Sequence, residues 1–143
     1  MKEDQTKELI NRLGLYYGFD KPTILNELLK VVREFYTWIE KEFSPVKIYK
    51  ELPLMMERDG QLIDGIADLL IETQHEVILI DYKTFMGNSA EMQWKAKTFS
   101  GQLKLYMDIL KQGFPGKKVH SGIYFVMKGV MVWMADVEVE VVG

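Results

Sequence analysis

The chain contains no cysteine. Disulfides, thiolate zinc sites and iron–sulfur clusters are therefore excluded. Long apolar runs are missing too, since none approaches the roughly 20 residues needed to span a bilayer. The opening MKEDQTKELI is too charged for a secretory signal. A cytoplasmic location with no membrane partner is the expectation. Excess positive charge is also lacking, with 18 Lys and Arg against 21 Asp and Glu, a formal net charge of −3. A domain that holds nucleic acid by bulk positive charge is thereby disfavoured, and such binding would need local patches, a metal or a partner. There is no internal repeat, no low-complexity linker and no phosphate-binding glycine loop. What remains is 143 residues, 48% apolar and 27% charged, proportions that suit one globular domain with a substantial core.

Residues Met1 to Tyr17 carry a weak apolar face of Leu9, Ile10, Leu13 and Leu15, shortened by Gly14 and Gly18. Asp20-Lys-Pro22-Thr23 reads as a helix start, followed by Ile24, Leu25, Leu28, Leu29, Val32, Phe35, Tyr36 and Ile39 at helical spacing. Ser44-Pro45 ends that helix. Three strands are then expected, Lys47 to Glu57, Gln61 to Glu72 and Glu76 to Lys83, turning at Asp59-Gly60 and at Thr73-Gln74-His75. After a loop from Phe85 to Ser89, Ala90 to Lys111 has helical composition despite Gly101. Gly113 to Lys118 breaks it. Val119 to Met127 and Val130 to Val142, joined by Lys128-Gly129, read as two more strands. The expected class is α/β, a mixed central sheet of a three-stranded meander plus two further strands, flanked by helices.

The chemistry concentrates in Gly60 to Thr84. Val77-Ile-Leu-Ile80 is an uninterrupted apolar run, as in a strand buried on both faces. Alternation along it puts Asp81 and Lys83 on one side and Tyr82 on the other. The three-residue turn brings Asp68 back toward Asp81, so two carboxylates converge. Unpaired, they would repel and one would tend to stay protonated; a hard divalent cation relieves this. Asp68, Asp81 and the backbone carbonyl of Tyr82 are the candidate ligands, for Mg2+ or Mn2+. Such an ion lowers the pKa of a bound water and polarises a phosphoryl oxygen, with Lys83 beside it to orient the water or neutralise developing charge. The competing reading is a surface ion pair at a strand end, worth about 0–1 kcal/mol.

Gly65-Ile-Ala-Asp68 followed by Asp81-Tyr-Lys83 resembles the nuclease domain of the RecB and AddA type, in the PD-(D/E)XK superfamily. Gln102-Leu-Lys-Leu-Tyr106 resembles that family's Q-x-x-x-Y helix, with both side chains on one helix face. Lys50-Glu51-Leu-Pro53 resembles the E-x-P that opens its meander. The resemblance runs from about Val46 to Leu110 in the family's order.

It implies a restriction-endonuclease-like core and metal-dependent hydrolysis of DNA, as an exonuclease, by a domain cut from the C-terminus of a larger helicase–nuclease acting in recombination and double-strand break repair. It also implies metal binding by Asp68 and Asp81, service of the attacking water by Lys83, supporting roles for Gln102 and Tyr106, and a secondary candidate in Glu51. The expected partners are DNA, single-stranded, and a helicase domain of the same polypeptide or complex.

One departure is plain: the family commonly has a metal-binding histidine before the meander, and none stands between Met1 and Gln74. His75 and His120 read as structural or solvated. A site short of one ligand should bind metal more weakly. Two alternatives follow, a non-catalytic DNA- or partner-docking module that retains the fold, and a complete small nuclease acting alone. Trp38, Trp94 and Trp133 read as core. Lys95, Lys97, Lys104, Lys111, Lys117 and Lys118 make either a phosphate-tracking face or a solvated one.

Overall fold

The structure is a computed structural model and describes residues 22–84, 87–134 and 138–142. The helix expected over Met1 to Tyr17 lies outside these residues. Helix α1 spans Pro22–Phe43, and strands β1 (Lys47–Arg58), β2 (Gln61–Glu72) and β3 (Glu76–Lys83) follow. Helices α2 (Ser89–Thr98) and α3 (Ser100–Gly113) lead to strands β4 (Lys118–Phe125), β5 (Val130–Trp133) and β6 (Glu138–Val141). The strands form one six-stranded sheet in sequence order. β3 and β4 are parallel and every other neighbouring pair is antiparallel. The two middle helices occupy the crossover that a parallel pair requires.

The two faces of the sheet are covered differently. On one, Val32, Phe35 and Ile39 of α1 pack against Leu69, Ile71, Ile78, Ile80 and Tyr124. On the other, Met92, Ala96, Leu103 and Leu110 from α2 and α3 pack against Leu70, Val77, Leu79, Ile123 and Phe125. Val77 to Ile80 are each at most 1% exposed, so β3 is buried on both faces, as its apolar run implied. No helix among the described residues is long and apolar enough to cross a membrane.

Two expected elements are divided. The helix expected over Ala90 to Lys111 breaks at Phe99. The Thr98 hydroxyl donates to the Lys95 carbonyl at 2.6 Å and the Ser100 hydroxyl to that of Lys97 at 2.7 Å, satisfying acceptors the helix end leaves open. α2 also begins at a capping box. The Asn88 side chain accepts from the Glu91 N–H at 2.8 Å and the Glu91 carboxylate from the Asn88 N–H at 3.0 Å. The strand expected from Val130 to Val142 is the hairpin of β5 and β6. β4 offers β5 only Gly122 to Phe125 for pairing, and the chain doubles back to use the other edge of β5.

β1 and β2 pair along their length, turning at Asp59 and Gly60, whose φ angles of 51° and 77° suit a tight hairpin. β2 reaches β3 only through Leu69 to Glu72. Beyond that point the first hairpin continues as a two-stranded ribbon. Leu54 and Met56 cover its inner side, while Met55, Leu62 and Ile66 stand exposed on its outer side. The site lies at the root of this ribbon.

Candidate active site

The β2–β3 ladder stops one step short of the acids. Leu69 pairs with Ile80 and is the last such pair, so Asp68 and Asp81 face each other where the strands part. Asp68 reaches across with its side chain, its Oδ2 accepting the Tyr82 N–H at 2.9 Å. A carboxylate thus takes the place of a ladder carbonyl. In an extended strand a residue's N–H and C=O point to the same neighbour, so the Tyr82 carbonyl also lies on the Asp68 side. The Tyr82 ring is buried on the opposite face, edge-on to Phe35 with centroids 6.0 Å apart.

Asp81 points into the α2–α3 side. Its Oδ2 lies 3.0 Å from Lys83 Nζ, with the two side chains 22% and 27% exposed. Burial pushes the Asp81 carboxyl up to about 6, the neighbouring Lys83 ammonium opposes that rise, and the adjoining Asp68 carboxylate adds to it. The predicted convergence of Asp68, Asp81 and Lys83 is present. Lys83 Nζ also lies 4.2 Å from the centre of the Phe99 ring.

Gln102 and Tyr106 are linked to each other, Gln102 Nε2 donating to the Tyr106 hydroxyl at 3.2 Å. Tyr106 packs into the second core layer beside Leu54 and Ala67. Its hydroxyl lies where a Cβ on Gly65 would stand, with its Cζ only 2.5 Å from that position. The glycine of G-x-x-D and the tyrosine of Q-x-x-x-Y therefore form one contact: a strand residue without a side chain admits the helix's ring. This contact holds α3 against the ribbon beside Asp68.

Glu51 falls on the same row of the sheet as Asp68 and Asp81. The register from Lys50 with Leu69 to Leu52 with Ala67 leaves Glu51 and Asp68 as the one skipped pair, and Glu51 has φ 50°. The usual alternation of faces slips here. Tyr49 and Leu52, like Ala67 and Leu70, contribute to the same α3 layer although the members of each pair are three positions apart, an odd offset that alternation would put on opposite faces. Glu51 itself is exposed. Among the described residues, no group of three or more His, Cys, Asp or Glu side chains is placed to hold a metal ion. Neither histidine stands in the site. His75 lies in the β2–β3 turn, and His120 faces Glu76 at 3.5 Å in the other half of β4.

The donor set nevertheless fits a hard divalent cation. Two adjacent carboxylates and a carbonyl are oxygen ligands, and magnesium is commonly bound through one or two carboxylates with waters completing its shell. Two further expectations change. Trp94 is 65% exposed, so it is no core residue, while Trp38 and Trp133 pack with Phe43 as expected. Lys117 is pinned to the Glu72 carboxylate at 2.6 Å and the Thr73 carbonyl at 2.8 Å, which ties the start of β4 to the β2–β3 turn. Phe99 was not singled out from the sequence. A phenylalanine within an apparently continuous helical stretch carries no local mark of its proximity to a lysine sixteen positions earlier.

The sequence profile of the PD-(D/E)XK nuclease superfamily matches residues 3–138. The chain belongs to that superfamily. Its mixed sheet flanked by helices is the restriction-endonuclease-like α/β fold of these proteins. Curated relatives include an ATP-dependent helicase/nuclease subunit from Thermoanaerobacter sp. strain X514, 30% identical over 133 residues, covering 90% of this chain and 10% of the relative. The protein of the same name from Listeria welshimeri is 28% identical over 130 residues, covering 84% of this chain and 10% of the relative. That from Listeria innocua is 32% identical over 111 residues, covering 72% and 8%. The chain thus spans about a tenth of the length of these relatives. PD-(D/E)XK nucleases generally use divalent metal ions, in keeping with the oxygen donors assembled here.

Proposed function

We propose that the chain is the nuclease domain of a helicase–nuclease and hydrolyses DNA phosphodiester bonds with Mg2+ or Mn2+. The observation that carries this reading is the close placement of Asp68, Asp81 and Lys83 where β2 and β3 part. Asp68, Asp81 and the Tyr82 carbonyl would hold the cation, which when bound supplies an activated water and a counter-charge for the phosphoryl oxygens. Holding the cation requires an ionised Asp81, whose proton is released as pH rises through about 6. Lys83 orients the attacking water, and its ammonium opposes the negative charge that develops at phosphorus. Gln102 and Tyr106 brace α3 against the ribbon and border the path of the strand.

The substrate in this reading is single-stranded DNA, delivered by a helicase partner and degraded in exonuclease fashion during recombination and break repair. Its setting is the cytoplasm, and the domain is a C-terminal fragment of the larger enzyme. The resemblance to proteins named as ATP-dependent helicase/nuclease subunits supports the link to a helicase. One observation favours a second reading: only two carboxylates converge among the described residues. In that reading the chain is a docking module for DNA or a partner that retains the fold.

Calorimetry with Mg2+ and Mn2+, followed by cleavage of an end-labelled single-stranded oligonucleotide, separates the two. Asp81→Ala should remove both metal binding and cleavage while leaving the far-UV spectrum unchanged. Cleavage at the wild-type rate by that variant, with contaminating nuclease excluded, would sink the assignment. DNA binding by the wild-type chain without metal binding would favour the docking module.

A further inference from the structure

The geometry points to Phe99 as a positioning residue for Lys83, an inference that rests on the nuclease reading above. Phe99 is the single residue between α2 and α3, with φ −97° and ψ −1°, and it makes no side-chain capping hydrogen bond. Its N–H bonds back to Ala96 at 3.1 Å and its carbonyl accepts from Leu103 at 3.1 Å, so the break is tied to both helices. The ring is half-buried against the second core layer. It presents a face to the site, with Lys83 Nζ 4.2 Å from its centre and Lys95 Nζ 5.7 Å away. Both distances fall within the roughly 6 Å over which a ring attracts a cation.

Lysine carries its charge on a flexible four-carbon stem, so one contact leaves the ammonium free to swing. Lys83 has two, the Asp81 carboxylate at 3.0 Å and the Phe99 ring. The carboxylate's hold must weaken when Asp81 turns its charge to a divalent cation. The ring's hold does not depend on Asp81. A ring neither accepts a proton nor neutralises the ammonium, so Lys83 keeps the charge that opposes the anionic transition state. The helix break at Thr98-Phe99-Ser100 gains a purpose: it supplies a ring, anchored by two helices, beside a side chain from β3.

The test uses the 143-residue chain with Phe99→Leu, which keeps apolar bulk without a ring, and Phe99→Tyr, which keeps the ring. NMR of metal-free, DNA-free protein reads the Lys83 Cε protons. A ring-current upfield shift should be present in wild type and Phe99→Tyr and absent in Phe99→Leu. Steady-state cleavage of a labelled single-stranded oligonucleotide with Mg2+ then separates kcat from KM. For Phe99→Leu we expect kcat to fall about tenfold with KM within about twofold of wild type, and for Phe99→Tyr to retain wild-type values. A Lys83 resonance unchanged by loss of the ring overturns the inference. So does a wild-type kcat in Phe99→Leu, or a change confined to KM. A wild-type chain that binds no metal and cuts no DNA overturns the nuclease reading and the catalytic role with it. That failure is distinguishable, because the NMR measurement reads the contact without metal or substrate.

Discussion

Replacing Asp81 by Asn should abolish metal binding and yet make the metal-free protein more stable at neutral pH. Burial raises the Asp81 carboxyl from 3.8 to about 6, so folding favours its neutral form. A carboxyl whose pKa is higher in the folded state contributes stability that is fully present below its unfolded pKa and is lost as pH rises through the folded one. That window runs from the 3.8 of the free group to about 6. A rise of this size corresponds to about 3 kcal/mol at neutral pH.

Asparagine has nearly the same shape and no charge at any pH, so it removes this cost. Lys83 loses its partner, but at 27% exposure its ammonium retains water, which offsets only part of the gain. The net expectation is a variant more stable by about 1–3 kcal/mol at about pH 7.5, converging on wild type near pH ~4. Urea denaturation followed by far-UV circular dichroism, in the presence of a chelator and at both pH values, reads this directly. Saturating Mg2+ should then raise the wild-type midpoint and leave the variant unmoved. A variant no more stable than wild type at about pH 7.5, with an unchanged m-value, would refute the claim that Asp81 is strained by its surroundings.

Two further predictions concern how the site is built. Gly65→Ala places a methyl group in the space held by Tyr106, at a cost of about 1–3 kcal/mol typical of overpacking. Pairing it with Tyr106→Leu should recover part of that loss, and urea midpoints of the three variants check the coupling. Phe35 is fully buried and stacks on Tyr124 at 3.9 Å, so Phe35→Ala should cost about 3–5 kcal/mol by cavity formation. A loss below about 1 kcal/mol would contradict the packing of α1 on the sheet.

Much of this architecture is legible in local patterns. The Asp59-Gly60 turn, the three strands of the meander and the doubly buried run Val77 to Ile80 follow from short-range rules, and they appear where those rules put them. The split at Phe99 did not. It depends on Thr98 and Ser100 hydroxyls competing for helical carbonyls, a contest whose outcome is decided by what each helix packs against. The β5–β6 hairpin escaped for a similar reason. Alternating valines and acids look the same in one long strand as in two short ones, and only the limited edge of β4 dictates the reversal.

The order of residues along the chain was enough to dictate that an acid would end a buried strand with a lysine on the same face, and that a second acid would return beside it across a short turn. Period-two alternation and turn length are properties of the local chain, and they suffice for Asp68, Asp81 and Lys83. Packing alone dictated that the strands part at the acids, that Gly65 makes room for Tyr106, that Glu51 lies on the same row yet faces solvent, and that the Phe99 ring meets the lysine. Each of these joins residues from elements distant in the chain, and such contacts leave no periodic trace in it.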